Sequence, residues 1–340
     1  MKRFLILAAL AMTLMPSLAN ARRVTVKLAT LAPKGTNFHK ILSAMGDEWK
    51  TLSDGQVRVK IFPGGIAGDD EGVVRKMRLG TVGAAMLTAA GVSAIDKAVN
   101  AAALPMHYQS YEELEYVFEK MRPELEAVYA AKGFVVLGWA NAGFVRFFTK
   151  TKAVTPAEMS ALKLFVWAGK PEITALWKLA GFNVVPLPST EISTALQTGL
   201  ISALPTTPQA ANLMSWYKHV GFMVDQFWAP LVGAIVIEKA VWAKIDPALQ
   251  PKLLASARKA AKQIRASAKP TNHAAMKAMA ANGLTIIKPT PAQRTEWEQR
   301  VEKVWPKIRG TFAPEHFFDL AVKHRTAFRA LGSFTDGGEE

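Results

Sequence analysis

Val24-Thr25-Val26-Lys27-Leu28-Ala29-Thr30-Leu31-Ala32-Pro33-Lys34-Gly35-Thr36 is the stretch that decides the fold. Val24, Val26 and Leu28 alternate with Thr25 and Lys27, the period of two that marks a half-buried strand. Pro33 and Gly35 break the run. Phe38, Ile41, Leu42, Met45 and Trp49 then recur at helical spacing. Asp54-Gly55 turns the chain into Val57, Val59 and Ile61, alternating with Arg58 and Lys60, until Pro63-Gly64-Gly65 ends that strand. Val73, Val74, Met77 and Leu79 read as a helix closed by Gly80, and Ala84-Ala85-Met86-Leu87 as a short buried strand. Strand, helix, strand, helix, strand in that order predicts an α/β fold, a parallel-type sheet with helices on its faces.

The style repeats downstream. Ser110-Tyr111-Glu112-Glu113 and Thr155-Pro156-Ala157-Glu158 are capping boxes, the second with Pro at the first helical position. Between them lie two predicted strands, Phe134–Trp139 and Phe144–Phe148, followed by Leu162–Trp167 and Val184–Leu187. Ser189 or Thr190 starts a helix through Ile192, Ala195 and Leu196 that Gly199 stops. Ile201–Leu204 is another strand, and Leu231–Ile237 a near-continuous apolar one. A long helix follows Asp246-Pro247. Leu253, Ala257, Ala260, Ile264 and Ala268 share one face of it and Arg258, Lys262, Arg265 and Lys269 another, with Pro270 expected to kink or interrupt it. Thr290-Pro291-Ala292-Gln293 caps a last helix carrying Trp297, Val301 and Trp305.

The 340 residues are half apolar and one-fifth charged, the balance of a globular chain. Lys2 and Arg3, the apolar run Phe4–Met15 and Ala19-Asn20-Ala21 together read as a secretory signal peptide over 1–21, cleaved after Ala21. Its twelve apolar residues fall short of the ~20 of a spanning helix. Cysteine is absent, which excludes disulfides, thiol catalysis and Cys-ligated zinc and fits a periplasmic protein that relies on its core. The net charge is +15. The basic stripe of the long helix is read as a solvated face, with contact to an anionic surface as the other reading. Nucleic acid is not an expected partner of an exported chain that shows no binding module.

Signatures of catalysis are missing: no G-x-S-x-G, no phosphate-binding loop and no G-x-G-x-x-G. His39, His107, His219, His273, His316 and His324 are scattered, without metal-ligand spacing. Asp69-Asp70-Glu71 precedes a helix and serves its dipole more simply than it serves a metal. The expectation is therefore no enzyme, no cofactor and no metal. Trp139, Phe165, Trp167 and Trp228 each sit at or just past the end of an apolar run. Ligands of α/β sheets bind outside the carboxyl ends of strands, so four aromatics there point to a binding cleft.

The order Ala29–Thr36, Phe62-Pro63-Gly64-Gly65, Met77-Arg78-Leu79-Gly80-Thr81, Leu104-Pro105, Leu162-Lys163-Leu164 and Glu191-x-x-x-Ala195-Leu196-Gln197-Thr198-Gly199 resembles the solute receptors of TRAP (tripartite ATP-independent periplasmic) transporters, the DctP type. The resemblance implies a two-lobed clam-shell binding protein with hinge strands and a long helix spanning both lobes, closing on a small molecule and delivering it to membrane permease subunits. It places 22–144 with 232–270 in one lobe and 145–231 with 271–334 in the other, before a disordered tail at 335–340. A monomer is expected.

In the family an Arg on the strand after the Thr155 cap grips the ligand carboxylate, and here that position is Phe165. The family's other frequent pocket Arg aligns with Arg146, and its downstream Asn falls near Thr206. A carboxylate enclosed without its guanidinium fork would carry an uncompensated desolvation penalty. The expectation is then an atypical member that takes a hydrophobic or amphiphilic ligand on Thr36, Thr88, Trp139, Arg146, Phe165, Trp167, Thr206 and Trp228. Phe165 and Trp167 face the cleft in this reading, and Leu164 and Val166 the core. The alternatives are a receptor for an aromatic or long-chain acid anchored by Arg146, a periplasmic lipid shuttle without a permease, and a periplasmic enzyme.

Overall fold

The structure is a computed structural model that describes residues 23–168 and 171–332. The signal-peptide and tail expectations fall outside these residues. Eleven described strands form two mixed sheets. In chain order they are β1 (Val24–Thr30), β2 (Val57–Phe62), β3 (Ala84–Leu87), β4 (Phe134–Phe144), β5 (Arg146–Thr149), β6 (Leu164–Trp167), β7 (Val184–Leu187), β8 (Ala203–Thr206), β9 (Phe222–Val224), β10 (Pro230–Glu238) and β11 (Thr285–Ile287). The first sheet runs β2-β1-β3-β10-β4 and the second β11-β9-β5-β8-β6-β7. β1 is parallel to β2 and β3, and β6 is parallel to β7 and β8, as helical crossovers between them require. This is a two-lobed α/β protein.

Two chain crossings join the lobes side by side. β4 passes into β5 through Val145, and residues 225–229 lead from β9 to β10. The crossings bond each other: Val145 N–H donates to Ala229 O at 2.8 Å and Trp228 N–H to Val145 O at 3.0 Å. The third link is the helix Gln250–Ala281. Its Leu253, Ala257 and Ile264 pack with Leu28, Leu42 and Trp49 beneath the first sheet, and its Ala275 and Met279 pack with Phe148 and Leu196 beneath the second. Gly138 of β4 lets that helix come close, since a Cβ there would lie 2.5 Å from Ala261 Cβ. The basic face is outside, and two of its members pair with the helix Tyr111–Ala131: Arg258 with Glu126 at 3.4 Å and Arg265 with Glu115 at 3.2 Å.

Three expectations are corrected. Pro270 does not interrupt the long helix, which is unbroken from Gln250 to Ala281. Next to it Asn272 Nδ2 donates to Ala268 O and Ala142 O, both at 2.8 Å, tying this turn to the hinge strand. β4 does not stop at Trp139 but runs to Phe144, because Ala140–Gly143 continues along β10 under the same helix. The segment expected in the second lobe at 271–334 divides between the lobes over its described residues, 271–332. Trp297 packs there against Phe147 and Phe182, but Val304, Ile308, Phe317, Phe318 and Ala321 enter the core of the first lobe, around Leu104, Leu114 and Met121. The C-terminal helix Glu315–Ala330 brings its own apolar stripe, and the helix Tyr111–Ala131 offers the matching one.

Candidate functional site

The carboxyl ends of β1, β2 and β3 in one lobe and of β6, β7 and β8 in the other open onto one cleft, the place where α/β sheets bind ligands. Its volume is about 250 Å³. Leu31 and Pro33 after β1, Gly64 and Gly65 after β2, and Met86 to Thr88 at the end of β3 form one wall. Trp167, Thr206, Gln209 and Met214 form the other, and Leu231 and Val145 of the hinge close the back. Gly64 and Gly65 have φ of 66° and 76°, which bends the loop after β2 back so that their N–H groups bond Ala32 O and Thr30 O.

Behind Trp167 lies a second cavity of about 220 Å³. It shares Thr88, Val145, Trp167, Pro205 and Leu231 with the cleft. Ile173, Leu176 and Trp177 of the helix Pro171–Leu179, Trp228 of the hinge, and Val301 and Val304 near the C-terminus supply much of its wall. Trp177 and Trp228 stack at 5.0 Å.

Of the residues expected at the site, Thr88, Trp167, Thr206 and Trp228 lie on these walls. Thr88 is held by Asp70, whose carboxylate accepts from its N–H at 2.9 Å and its hydroxyl at 2.5 Å. Burial raises the Asp70 pKa, and the two Thr88 bonds oppose that. The acidic triplet thus does more than serve a helix dipole: Asp69 caps the helix Asp70–Arg78, and Asp70 fixes a wall residue.

Phe165 also borders the second cavity, whereas Thr36, Trp139 and Arg146 are placed elsewhere. Thr36 caps the helix Asn37–Leu52 and gives its own proton to Pro33 O at 2.8 Å; its neighbours Pro33 and Phe38 line the cleft instead. Trp139 sits inside β4 rather than at its end, so its ring is enclosed by Phe118 and Tyr129. Arg146 is turned into the protein. Its Nε donates to Asp225 Oδ1 at 2.9 Å, its Nη1 to Phe144 O at 3.2 Å, and its guanidinium lies 4.1 Å over the Phe227 ring.

Phe165 has no exposed surface. It belongs to an apolar core with Phe148, Leu196, Leu204 and Met223, and borders the second cavity from within that core. Leu164 and Val166 enter a different core with Phe147, Phe182 and Trp297. The second sheet is covered on both faces, so alternation along β6 separates two cores and not cleft from core. Trp167, at the strand's end and edge-on to Phe165 at 4.9 Å, is the partly exposed member.

Sequence reasoning passed over Asn141, Gln209, Met214, Trp216 and Arg300, which also line the two spaces. The helix Pro208–Leu213, capped by Thr207, presents Gln209. The Gln209 side-chain oxygen is buried with no hydrogen-bond donor among the described residues. The cleft wall carries no ionisable side chain among the described residues, and the second cavity carries one, Arg300. No described group of His, Asp and Glu has the arrangement of a metal site, and no described helix is long and apolar enough to cross a membrane.

The model of the DctP family, bacterial extracellular solute-binding protein family 7, matches residues 28–311. A solute-binding protein of Roseobacter denitrificans is 28% identical over 243 residues, which is 68% of this chain and 71% of that one. The 2,3-diketo-L-gulonate-binding periplasmic protein of Escherichia coli is 24% identical over 227 residues, 65% and 68% of the two chains. Among solved structures, the sugar acid binding protein of Advenella mimigardefordensis in complex with galactonate aligns with a TM-score of 0.83 at 15% identity, covering 90% of this chain and 99% of that one. A TRAP periplasmic solute binding protein from Xanthobacter autotrophicus with bound β-D-galacturonate gives 0.81 at 18% identity, covering 88% and 99%.

Proposed function

Since the chain belongs to the DctP family of bacterial extracellular solute-binding proteins, it is a periplasmic TRAP-type receptor and not an enzyme, and we propose that its solute is an apolar or amphiphilic small molecule. One observation carries this reading: the cleft wall has no cation among its described residues, and Arg146, the nearest family-type anchor, is already neutralised by Asp225. A sugar acid in this cleft would shed its water around a carboxylate and find no opposite charge among the described residues, a penalty of several kcal/mol. An apolar body reverses the balance, since burying ~200 Å² of its surface at ~25 cal/mol per Å² contributes roughly 5 kcal/mol before ordering costs. Thr206 and the unpartnered Gln209 oxygen suit a neutral polar group such as a hydroxyl. Lobe closure about the Val145 and 225–229 crossings would cover the solute, and the closed form would dock on the membrane permease.

The second reading is a sugar-acid receptor. What favours it is the company the chain keeps: relatives of the same fold hold galactonate and β-D-galacturonate. Native mass spectrometry of the purified protein, with calorimetric titration of D-galactonate, D-glucuronate and decan-1-ol, separates the two. The expected result is a co-purified apolar compound, binding of decan-1-ol and no response to either sugar acid. Micromolar binding of a sugar acid, with none of the alcohol, would overturn the apolar reading.

A further inference from the structure

We propose that the cavity behind Trp167 is a second compartment of the solute site, and that it receives the acid end of an amphiphilic monocarboxylic acid at Arg300. The proposal rests on the apolar reading of the cleft and adds to it a place, a length and a charge.

Size is the first reason. At about 250 and about 220 Å³, the cleft and the cavity each fall short of the roughly 300–1,000 Å³ of small-molecule sites, whereas the two together lie inside that range. They share five wall residues, and Trp167 stands between them. Trp167 is partly exposed and packs edge-on to Phe165. A rotation of its ring would join the two spaces into one channel running from the loops after β1 and β2 to the C-terminal helices.

The wall chemistry is the second. Val166, Trp177, Trp228, Leu176 and Val304 are part of the wall, apolar surface that suits an acyl or fused-ring body. The helix Pro291–Glu302 contributes Arg300, the one charged residue of this wall among those described. Its Nη1 donates to Ala180 O at 2.6 Å and its guanidinium lies 6.0 Å from the Phe182 ring centroid. No described carboxylate pairs with it, which leaves Nε and Nη2 without an acceptor among the described residues. A guanidinium steadied by one carbonyl and an aromatic face, half-buried in apolar surroundings, suits a carboxylate that arrives with an apolar chain. Arg146, which the family pattern points to, has its acid already; Arg300 has none among the described residues.

The test uses decanoate, hexanoate and decan-1-ol as probes on the wild-type protein, Arg300→Gln and Ala103→Phe, followed by calorimetry and by tryptophan fluorescence. Ala103 is on the cavity wall and away from the cleft, so the phenyl ring fills the compartment alone. The wild type should prefer decanoate to hexanoate. Arg300→Gln should weaken decanoate about tenfold, the loss of a charge-assisted pair, and leave decan-1-ol unchanged. Ala103→Phe should abolish the preference for the longer acid. Should Arg300→Gln fail to fold, Ala103→Phe decides. If wild type binds the decyl probes and neither variant alters them, the second compartment is wrong and the apolar cleft stands. If wild type ignores all three and binds a sugar acid, the apolar reading fails and this proposal falls with it.

Discussion

Arg146 Nε lies 2.9 Å from Asp225 Oδ1, with 5% of one side chain and 14% of the other exposed. The pair joins the first residue of β5 to the segment that follows β9, so both ends of the hinge region share one buried ion pair. A buried charge whose partner is removed costs about 3–5 kcal/mol, whereas replacing both by apolar residues is often neutral. Asp225→Ala should therefore lower the unfolding free energy by about 3–5 kcal/mol, and Arg146→Leu with Asp225→Leu should recover most of that. Urea denaturation checks it. An Asp225→Ala variant unfolding at the wild-type midpoint would show that the pair holds nothing.

Asn272 connects the lobes through its amide. Nδ2 donates to Ala142 O of β4 at 2.8 Å, and Oδ1 accepts from Gln209 N–H at 2.9 Å on a cleft helix of the other lobe. The approach is close enough that a Cβ on Gly143 (φ 99°) would sit 2.3 Å from Nδ2. Asn272→Ala leaves a carbonyl and an amide without partners in a buried place, at about 1–3 kcal/mol each. The expected outcome is a loss of about 2 kcal/mol or more in stability and faster hydrogen exchange at the Gln209 amide. Unchanged exchange there would mean that Asn272 does not hold the cleft helix.

Gly138 of β4 is a second close contact with the long helix, where an added Cβ would be 2.5 Å from Ala261 Cβ. Overpacking at such a contact costs about 1–3 kcal/mol, so Gly138→Val should lower the melting midpoint and Ala261→Gly should partly restore it in the double variant. Additive losses in the two single variants would place the strain somewhere other than this pair.

The lobe architecture was legible where strands face water on one side. Val24, Val26 and Leu28 are buried while Thr25 and Lys27 are exposed, so alternation reported the face directly. It failed on β6, where Leu164, Phe165 and Val166 are all buried because helices and aromatics cover the second sheet on both sides. β9 and β11 went unseen, since three residues are too few to show a period. Trp167 and Trp228, read from the ends of apolar runs, lie on the walls, but Trp139 does not, because small residues after it extend the strand. The role of Arg146 turns on Asp225, a partner 79 residues away, and no local spacing announces it. Arg300 was invisible for the same reason: the helix Pro291–Glu302 brings it beside Ala180 and Phe182, residues far earlier in the chain.

His107 gives the acid limb of stability a specific source. Its ring is wholly buried, 4.7 Å from Tyr108 and 5.4 Å from Trp305, with Nδ1 3.1 Å from Arg325 Nη1. An arginine only donates, so Nδ1 accepts and the imidazole is neutral. Burial first, then the charges of Arg325 and Arg329, hold its pKa down to about 3 from 6.5. Arg329 is answered by Glu113 at 2.7 Å. Between those two pH values the unfolded chain binds a proton that the native chain refuses. Stability is therefore full above pH 6.5 and falls as the pH drops toward 3, with a slope of up to about 1.4 kcal/mol per pH unit. His107→Asn removes the titrating group, and the difference in unfolding free energy between variant and wild type should shrink steadily from pH 6.5 to pH 3.5. A difference that stays constant over this range, measured by urea denaturation at each pH, would assign the acid sensitivity to other groups.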